Sequence, residues 1–322
     1  MKKILTGLLA LILTIPCPVL AADVVRLGTL KFAHYGAVWY MKEIAPRYNL
    51  EIKEMVFPKG IDIIPAIIAG EIDVAASAVD GAISARAANV PIYIVAGFAR
   101  GGARIVGRSD IKWNSIADLK GKKVGVPRGG AQELVLLAEL AKFNLSSSEK
   151  PGKDVQLAYM AYADLNQALL GKNVDAISQS EPQSAQAISK GFGVEIIKPY
   201  DTPLGEPVRT LIMTEAMYNK KREVAERVLK CFVDATKIFV DHPEVAEKYV
   251  REKMFKGQLT SQEYREATEN SAFTYDITPE QVQVATDMMA KYGIGRMTTP
   301  PVAKDFVKLD LLKKAKNELH VK

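Results

Sequence analysis

Two adjacent glycines behind a short apolar run carry the sharpest chemical signal in the chain. Val124-Gly125-Val126-Pro127-Arg128-Gly129-Gly130-Ala131-Gln132-Glu133 reads as a buried strand, a tight turn and the start of a helix. Pro127 cannot donate to a ladder, so the strand ends there. Leu134, Leu137, Ala138 and Ala141 then recur at helical spacing. The N–H groups of Gly130 to Glu133 would point back at the strand end, where the helix dipole places roughly half a positive charge. An anion suits that place, and Arg128 stands beside it. Two other readings stay open: Glu133 as the occupant, or a bare turn with no ligand.

Ligands in open α/β sheets bind outside the C-terminal ends of the strands. Three further ends carry polar or aromatic groups. One holds Lys31, His34, Tyr35 and Trp39, another Ser77 and Ala78, a third Ser180 and Glu181. Tyr159 and Tyr162 flank a neighbouring end, and Arg209 sits where the chain re-enters the first half. With Arg128, Gly129, Gly130, Ala131 and Gln132, and leaving Tyr162 aside, these are the candidate ligand-binding residues. Rings supply contact area, while hydroxyls and free N–H groups fix orientation. Trp39 and Phe32 read equally well as core, and His34 as a solvated loop residue.

The elements that must position these groups alternate. Strands at 24–28, 50–56, 72–76, 91–98 and 104–107 are separated by helices at 37–47, 61–69 and 80–88. The pattern resumes from Val124, with strands at 155–159, 174–178 and 194–198 and helices at 164–170 and 183–190. Ala66 to Ala75 matches Ala168 to Ile177 at a constant offset, which also carries Ile92, Ile94 and Val95 onto Val194, Ile196 and Ile197. Two similar α/β lobes follow from this, or two unrelated helix-strand units alike by chance. From Met217 the chain turns helical: 219–239, 243–255, 261–271, a helix from Thr278 to Gly293 with Thr as cap and Pro279 at its first position, and 301–319.

The 322 residues suggest two domains, and 48% hydrophobic with 25% charged residues suffices for a core. Lys2 and Lys3, an apolar run from Ile4 to Leu20, then Ala21 and Ala22 make a cleavable export leader over residues 1–22. Cleavage is expected near Ala21 or Ala22. The formal charge of +6 becomes +4 without the two leader lysines. Its scattered bases argue against nucleic acid. Cys17 lies in the leader, and Cys231 falls on an apolar helical stripe, as a buried thiol would. No phosphate-binding loop, Gly-x-Ser-x-Gly elbow or histidine pair at metal spacing is present, so neither catalytic residues, a cofactor nor a metal is expected.

Gly70-Glu71-Ile72-Asp73-Val74-Ala75, Asp118-Leu119-Lys120-Gly121-Lys122-Lys123-Val124-Gly125-Val126-Pro127 and Ser180-Glu181-Pro182 give the chain a family resemblance. From about Val25 to Ala246 it resembles the periplasmic solute-binding proteins of nitrate/sulfonate/taurine-type ABC importers, which include thiamine-pyrimidine binders. The resemblance implies a type II binding-protein fold: two mixed sheets flanked by helices, two crossing strands, and ligand trapped between lobes. Lobe 1 would span 23–108 and 206–322, the latter with the helical tail, and lobe 2 109–205. A periplasmic monomer is expected that captures a small organic anion, a sulfonate or carboxylate, for an ABC permease and its ATPase. The turn Pro127-Arg128-Gly129-Gly130-Ala131 departs from the family, where many relatives place a Ser or Thr hydroxyl. Alternatives are a binder of a thiamine pyrimidine precursor, a pyrimidine-synthase-like enzyme, against which the leader and single mature cysteine stand, and a receptor's ligand-sensing domain.

Overall fold

The computed structural model describes residues 21–321. The expected leader, with Cys17, lies outside them except for Ala21 and Ala22. The β-branched and apolar runs become β1 (Asp23–Thr29), β2 (Leu50–Val56), β3 (Val74–Ala78), β4 (Ile92–Gly101), β5 (Ala103–Arg108) and β6 (Lys122–Val126). Then follow β7 (Ser147–Ser148), β8 (Val155–Tyr159), β9 (Ala176–Ser180), β10 (Gly193–Ile197), β11 (Val208–Thr214) and β12 (Ser271–Phe273). They form two six-stranded sheets, ordered β12-β4-β11-β3-β1-β2 and β10-β5-β9-β6-β8-β7.

Both sheets are mixed, and they share one plan. In the first, β2, β1 and β3 run parallel and β11 lies antiparallel between β3 and β4. In the second, β8, β6 and β9 run parallel and β5 lies antiparallel between β9 and β10. The local sequence repeat now has a structural place: β3 and β9 hold equivalent positions, as do β4 and β10. The antiparallel strand of each sheet is the one the chain sends across from the other lobe.

The first crossing is sharper and earlier than the boundary at 108. β5 already pairs in the second sheet, so the chain changes lobes at Gly101 and Gly102. Both have left-handed backbones, with φ of 75° and 76°. A side chain at Gly101 would run into the Asn270 carbonyl, and one at Gly102 into the His34 ring. Tyr200, on the return crossing, ties the hinge together: its hydroxyl accepts from the Ala103 N–H at 3.0 Å and lies 2.9 Å from the Asn270 side-chain oxygen.

The C-terminal helices pack on the first lobe. Helix Arg222–Asp241 lays Val228, Phe232 and Phe239 into the same core as Met41 and Ile44 of helix Gly36–Ile44. Cys231 is buried there with its thiol directed at the Met41 carbonyl, and burial pushes its pKa up to about 12. Thr278 caps helix Pro279–Tyr292, accepting from the Gln281 N–H at 3.2 Å, and Gly293 ends it with φ of 70°. Three expected helices are subdivided. The one from Asn219 is Glu215–Lys220 followed by Arg222–Asp241, and Pro243–Lys248 continues as a π-helical turn, Tyr249–Met254. The last splits into Ala303–Phe306 and Asp310–Glu318 because the Lys308 N–H leaves the helix to bond the Ile94 carbonyl on β4.

Candidate functional site

The ends of β1, β3, β6 and β9 meet the start of β11 between the lobes, and together they enclose a cavity. Lobe 1 contributes Leu30, Phe32, His34, Tyr35, Lys59, Gly60, Ile61, Ala78, Asp80 and Arg209; lobe 2 contributes residues 127–132, Tyr162 and Ser180. The lobes touch around it. Phe32 and Tyr162 meet edge to face at 5.1 Å, and the Ala33 N–H reaches the Glu181 carbonyl at 3.4 Å. Between these contacts about 30 Å³ remains for the centres of water-sized molecules. One water needs roughly 10–15 Å³ by that measure, so the space is small but not filled.

Lobe 1 brings buried charge. Arg209, at the start of β11, is only 2% exposed. Its Nε donates to Nε2 of His34 at 3.2 Å and its Nη2 to the Gly101 carbonyl at 3.2 Å. A guanidinium only donates, so His34 carries its proton on Nδ1. Burial, with Arg209 beside it, pushes the His34 pKa well down and keeps the ring neutral. Asp80, in the first turn of helix Val79–Ala87, is also buried, and burial raises its pKa to about 6 against the pull of Arg209. Among the described residues Arg209 Nη1, His34 Nδ1 and Asp80 Oδ1 have no hydrogen-bond partner.

Lobe 2 brings main chain. Gly130 caps helix Ala131–Lys142 without a side-chain hydrogen bond. Gly130, Ala131 and Gln132 thus present the unpaired N–H groups of a helix start to the cavity. Glu133 takes a different N–H, that of Gly129, and accepts from the Tyr159 hydroxyl at 2.6 Å. The Gln132 side-chain oxygen accepts from the Tyr162 hydroxyl, and the Ser180 hydroxyl donates to the Gly102 carbonyl at 3.2 Å.

The structure gathers His34, Tyr35, Ala78, Gly129, Gly130, Ala131, Gln132, Ser180 and Arg209 of the expected set. Arg128 lines the cavity only through its place in the turn. Its guanidinium turns outward, bonding Glu149 at 2.7 Å and stacking over the Tyr159 ring at 3.6 Å. Five others lie away from the cavity. Lys31 sits over the Phe255 ring. Trp39 is core, its indole N–H donating to the Leu30 carbonyl at 3.0 Å. The Ser77 hydroxyl is wedged between Gly60 and Gly81, beneath the floor. Tyr159 faces Glu133 and Arg128 instead. Glu181 is fully buried, ion-paired to Arg104 at 2.6 Å and accepting from Asn270 at 2.9 Å. The candidate set left out Asp80, Lys59 and Tyr162. Asp80 follows directly on a strand end already under scrutiny, and Tyr162 stood beside Tyr159, so both had a positional signal. Among the described residues no group of three His, Cys, Asp or Glu side chains is placed to hold a metal ion.

Two lobes of equivalent topology, crossed twice by the chain and meeting at a shared cavity, define a protein of the periplasmic binding-protein fold. The chain belongs to the NMT1-like family, whose model matches residues 23–251. It is 22% identical over 256 residues, 74% of this chain and 72% of the relative, to a Brachyspira hyodysenteriae protein provisionally named an ABC transporter periplasmic binding protein. Its fold matches the alkanesulfonate-binding protein SsuA of Xanthomonas axonopodis pv. citri, bound to MOPS, at a TM-score of 0.74 and 17% identity, covering 90% of this chain and 100% of that one. It also matches the periplasmic nitrate-binding protein NrtA of Synechocystis PCC 6803 at a TM-score of 0.75 and 15% identity, covering 94% and 90%.

Proposed function

We propose that this protein is the periplasmic solute-binding component of an ABC importer, exported by its leader, that captures a small organic anion between its lobes and delivers it to the permease. One observation carries the reading: a buried arginine with a free N–H, Arg209, lines a cavity to which both lobes contribute. A buried guanidinium without a carboxylate partner is costly, and an acidic ligand would supply that partner. The helix start at Gly130 adds donors from the opposite lobe. A ligand touching both walls favours the closed form, and a preference of ~10⁴-fold swings such an equilibrium almost completely. Micromolar capture asks for only ~8 kcal/mol in all. Relatives named as transport binding proteins support a role in binding rather than catalysis. The buried rings of Phe32 and Tyr35 favour a ligand with some carbon body over a bare inorganic ion. A thermal-shift panel of short sulfonates, short carboxylates and inorganic nitrate tests this. Organic acids should raise the melting temperature by mass action. A response to nitrate alone would overturn the organic-anion reading.

A further inference from the structure

The helical tail packs on lobe 1, yet it also reaches lobe 2 at two places of opposite chemistry. Helix Ser261–Glu269 meets helix Gln183–Ser189, and helix Pro279–Tyr292 meets helix Ala131–Lys142. The first contact is polar. Glu181 of lobe 2 and Asn270 of the tail, both buried, bond across the lobe boundary at 2.9 Å. Arg104, ion-paired to Glu181, donates from Nη2 to the Glu266 carbonyl at 2.7 Å, and the Ser189 hydroxyl donates to the Glu263 carboxylate at 3.3 Å. The Asn270 amide also donates to the Ala103 carbonyl at 3.1 Å, beside the crossing at Gly101 and Gly102. Parting the lobes here would strip hydrogen bonds from two buried charges, a costly step. Rotation also moves atoms least where the chain crosses. The second contact is apolar. Leu134 of lobe 2 is 1% exposed and joins the core of lobe 1, while Leu137 packs against the cores of both lobes. Among the described residues no hydrogen bond or ion pair joins these two helices. Beside Leu134 a cavity offers about 200 Å³ to the centres of water-sized molecules, among Val79, Leu204, Pro207, Gln281 and Ala285. Packed interiors seldom leave such space, and atoms facing a void lose their contacts on that side. Breaking this seam exposes apolar surface and strands no polar group.

We propose that the seam at Leu134 is a latch and the Glu181–Arg104–Asn270 network its pivot: lobe 2 swings on the network, and the apolar grip of Leu134 on lobe 1 sets ligand affinity without touching the ligand. The inference rests on the reading that the protein binds by closing its lobes. A residue that firms the seam favours the closed form and tightens binding, and one that loosens it does the reverse. The cavity beside Leu134 keeps the grip incomplete, so the empty protein lets go.

Paired nitroxide labels on the full exported chain test this, since Cys231 is buried and stays unlabelled. Ala141→Cys with Lys291→Cys spans the seam, and Lys190→Cys with Gln262→Cys spans the network, all at exposed positions. The expected result is a seam distance that shortens when the tightest acid of the thermal-shift panel is added, with the network distance unchanged. In calorimetry with that acid, Leu134→Ala should bind at least fivefold more weakly. Ala285→Leu, which fills the cavity, should bind at least twofold more tightly. A network distance that changes while the seam distance does not overturns the proposal, as does unchanged affinity in both variants. If no acid binds, the organic-anion reading falls and the empty protein still decides: Leu134→Ala should lengthen the seam distance and Ala285→Leu shorten it, and equal distances overturn the latch. Should Leu134→Ala fail to fold by circular dichroism, Ala285→Leu and the wild-type label pairs decide.

Discussion

The two walls of the cavity are built from equivalent strand ends, yet they offer different chemistry. Lobe 1 places buried, ionisable side chains at its strand ends: Arg209, His34 and Asp80. Lobe 2 places backbone N–H groups at Gly130 to Gln132 and neutral hydroxyls on Tyr162 and Ser180. Charged groups in a low-dielectric wall discriminate strongly between ligands, because an unmatched charge there is expensive. Neutral donors contribute roughly 1 kcal/mol each and tolerate many acceptors. Under the proposed function the two lobes would divide the work, lobe 1 selecting the ligand and lobe 2 closing on it.

That division can be broken wall by wall. Arg209→Met should weaken acid binding about 30-fold or more, since truncating one partner of a buried charged contact costs about 2–5 kcal/mol. Calorimetry against an acid that binds the wild type reads this directly. Asp80 should act on the empty protein. Its folded pKa, about 6, exceeds the ordinary 3.8, so the native state holds more protons than the unfolded chain between those values. Stability then falls as pH rises through that window and stays lower above it, by about 3 kcal/mol. Arg209 from β11 and Glu133 from helix Ala131–Lys142 oppose each other in setting this shift. The His34 ring and the Tyr35 and Tyr162 hydroxyls stay neutral beside it. Asp80→Asn should lack that slope in urea titrations at pH 4 and 7. Gly101→Ala strains a left-handed hinge residue against Asn270 and should cost about 1–3 kcal/mol in the same titrations. On the opposite wall, Tyr162→Phe removes only a hydroxyl bonded to Gln132, and affinity should drop less than about tenfold. Arg128→Ala should change affinity less than about twofold, because its guanidinium belongs to an exposed pair with Glu149.

Arg128 and Arg209 also show where the sequence was legible and where it stopped being so. Strand ends are local, so alternation, Pro127 and the Gly129-Gly130 pair sufficed to locate four of the loops that meet at the cavity. The repeat of β3 in β9 revealed the duplication, because equal burial demands equal patterns at an equal offset. Side-chain direction is not local. Arg128 stands in the right turn, but Glu149 and Tyr159 draw its charge outward from separate segments. Arg209 faces inward because β11 is antiparallel between β3 and β4, a pairing that no local pattern announces. Asp80 read as an acid in a first helical turn, a common placement on dipole grounds alone, and only the cavity distinguishes it. Glu181 read as a ligand group but is engaged by Arg104 and Asn270, both remote in sequence. β12 escaped notice for a similar reason: three residues after a helix become a strand only because the edge of β4 is there to receive them.

The division of the walls is tested most directly by a crystal structure of the protein with the tightest-binding short organic acid. The expected result is acid oxygens within hydrogen-bond distance of Arg209 Nη1 and His34 Nδ1, with the N–H groups at Gly130 to Gln132 closing from the other side. An acid bound instead at Arg128 and Glu149, with the cavity at Arg209 empty, would contradict it.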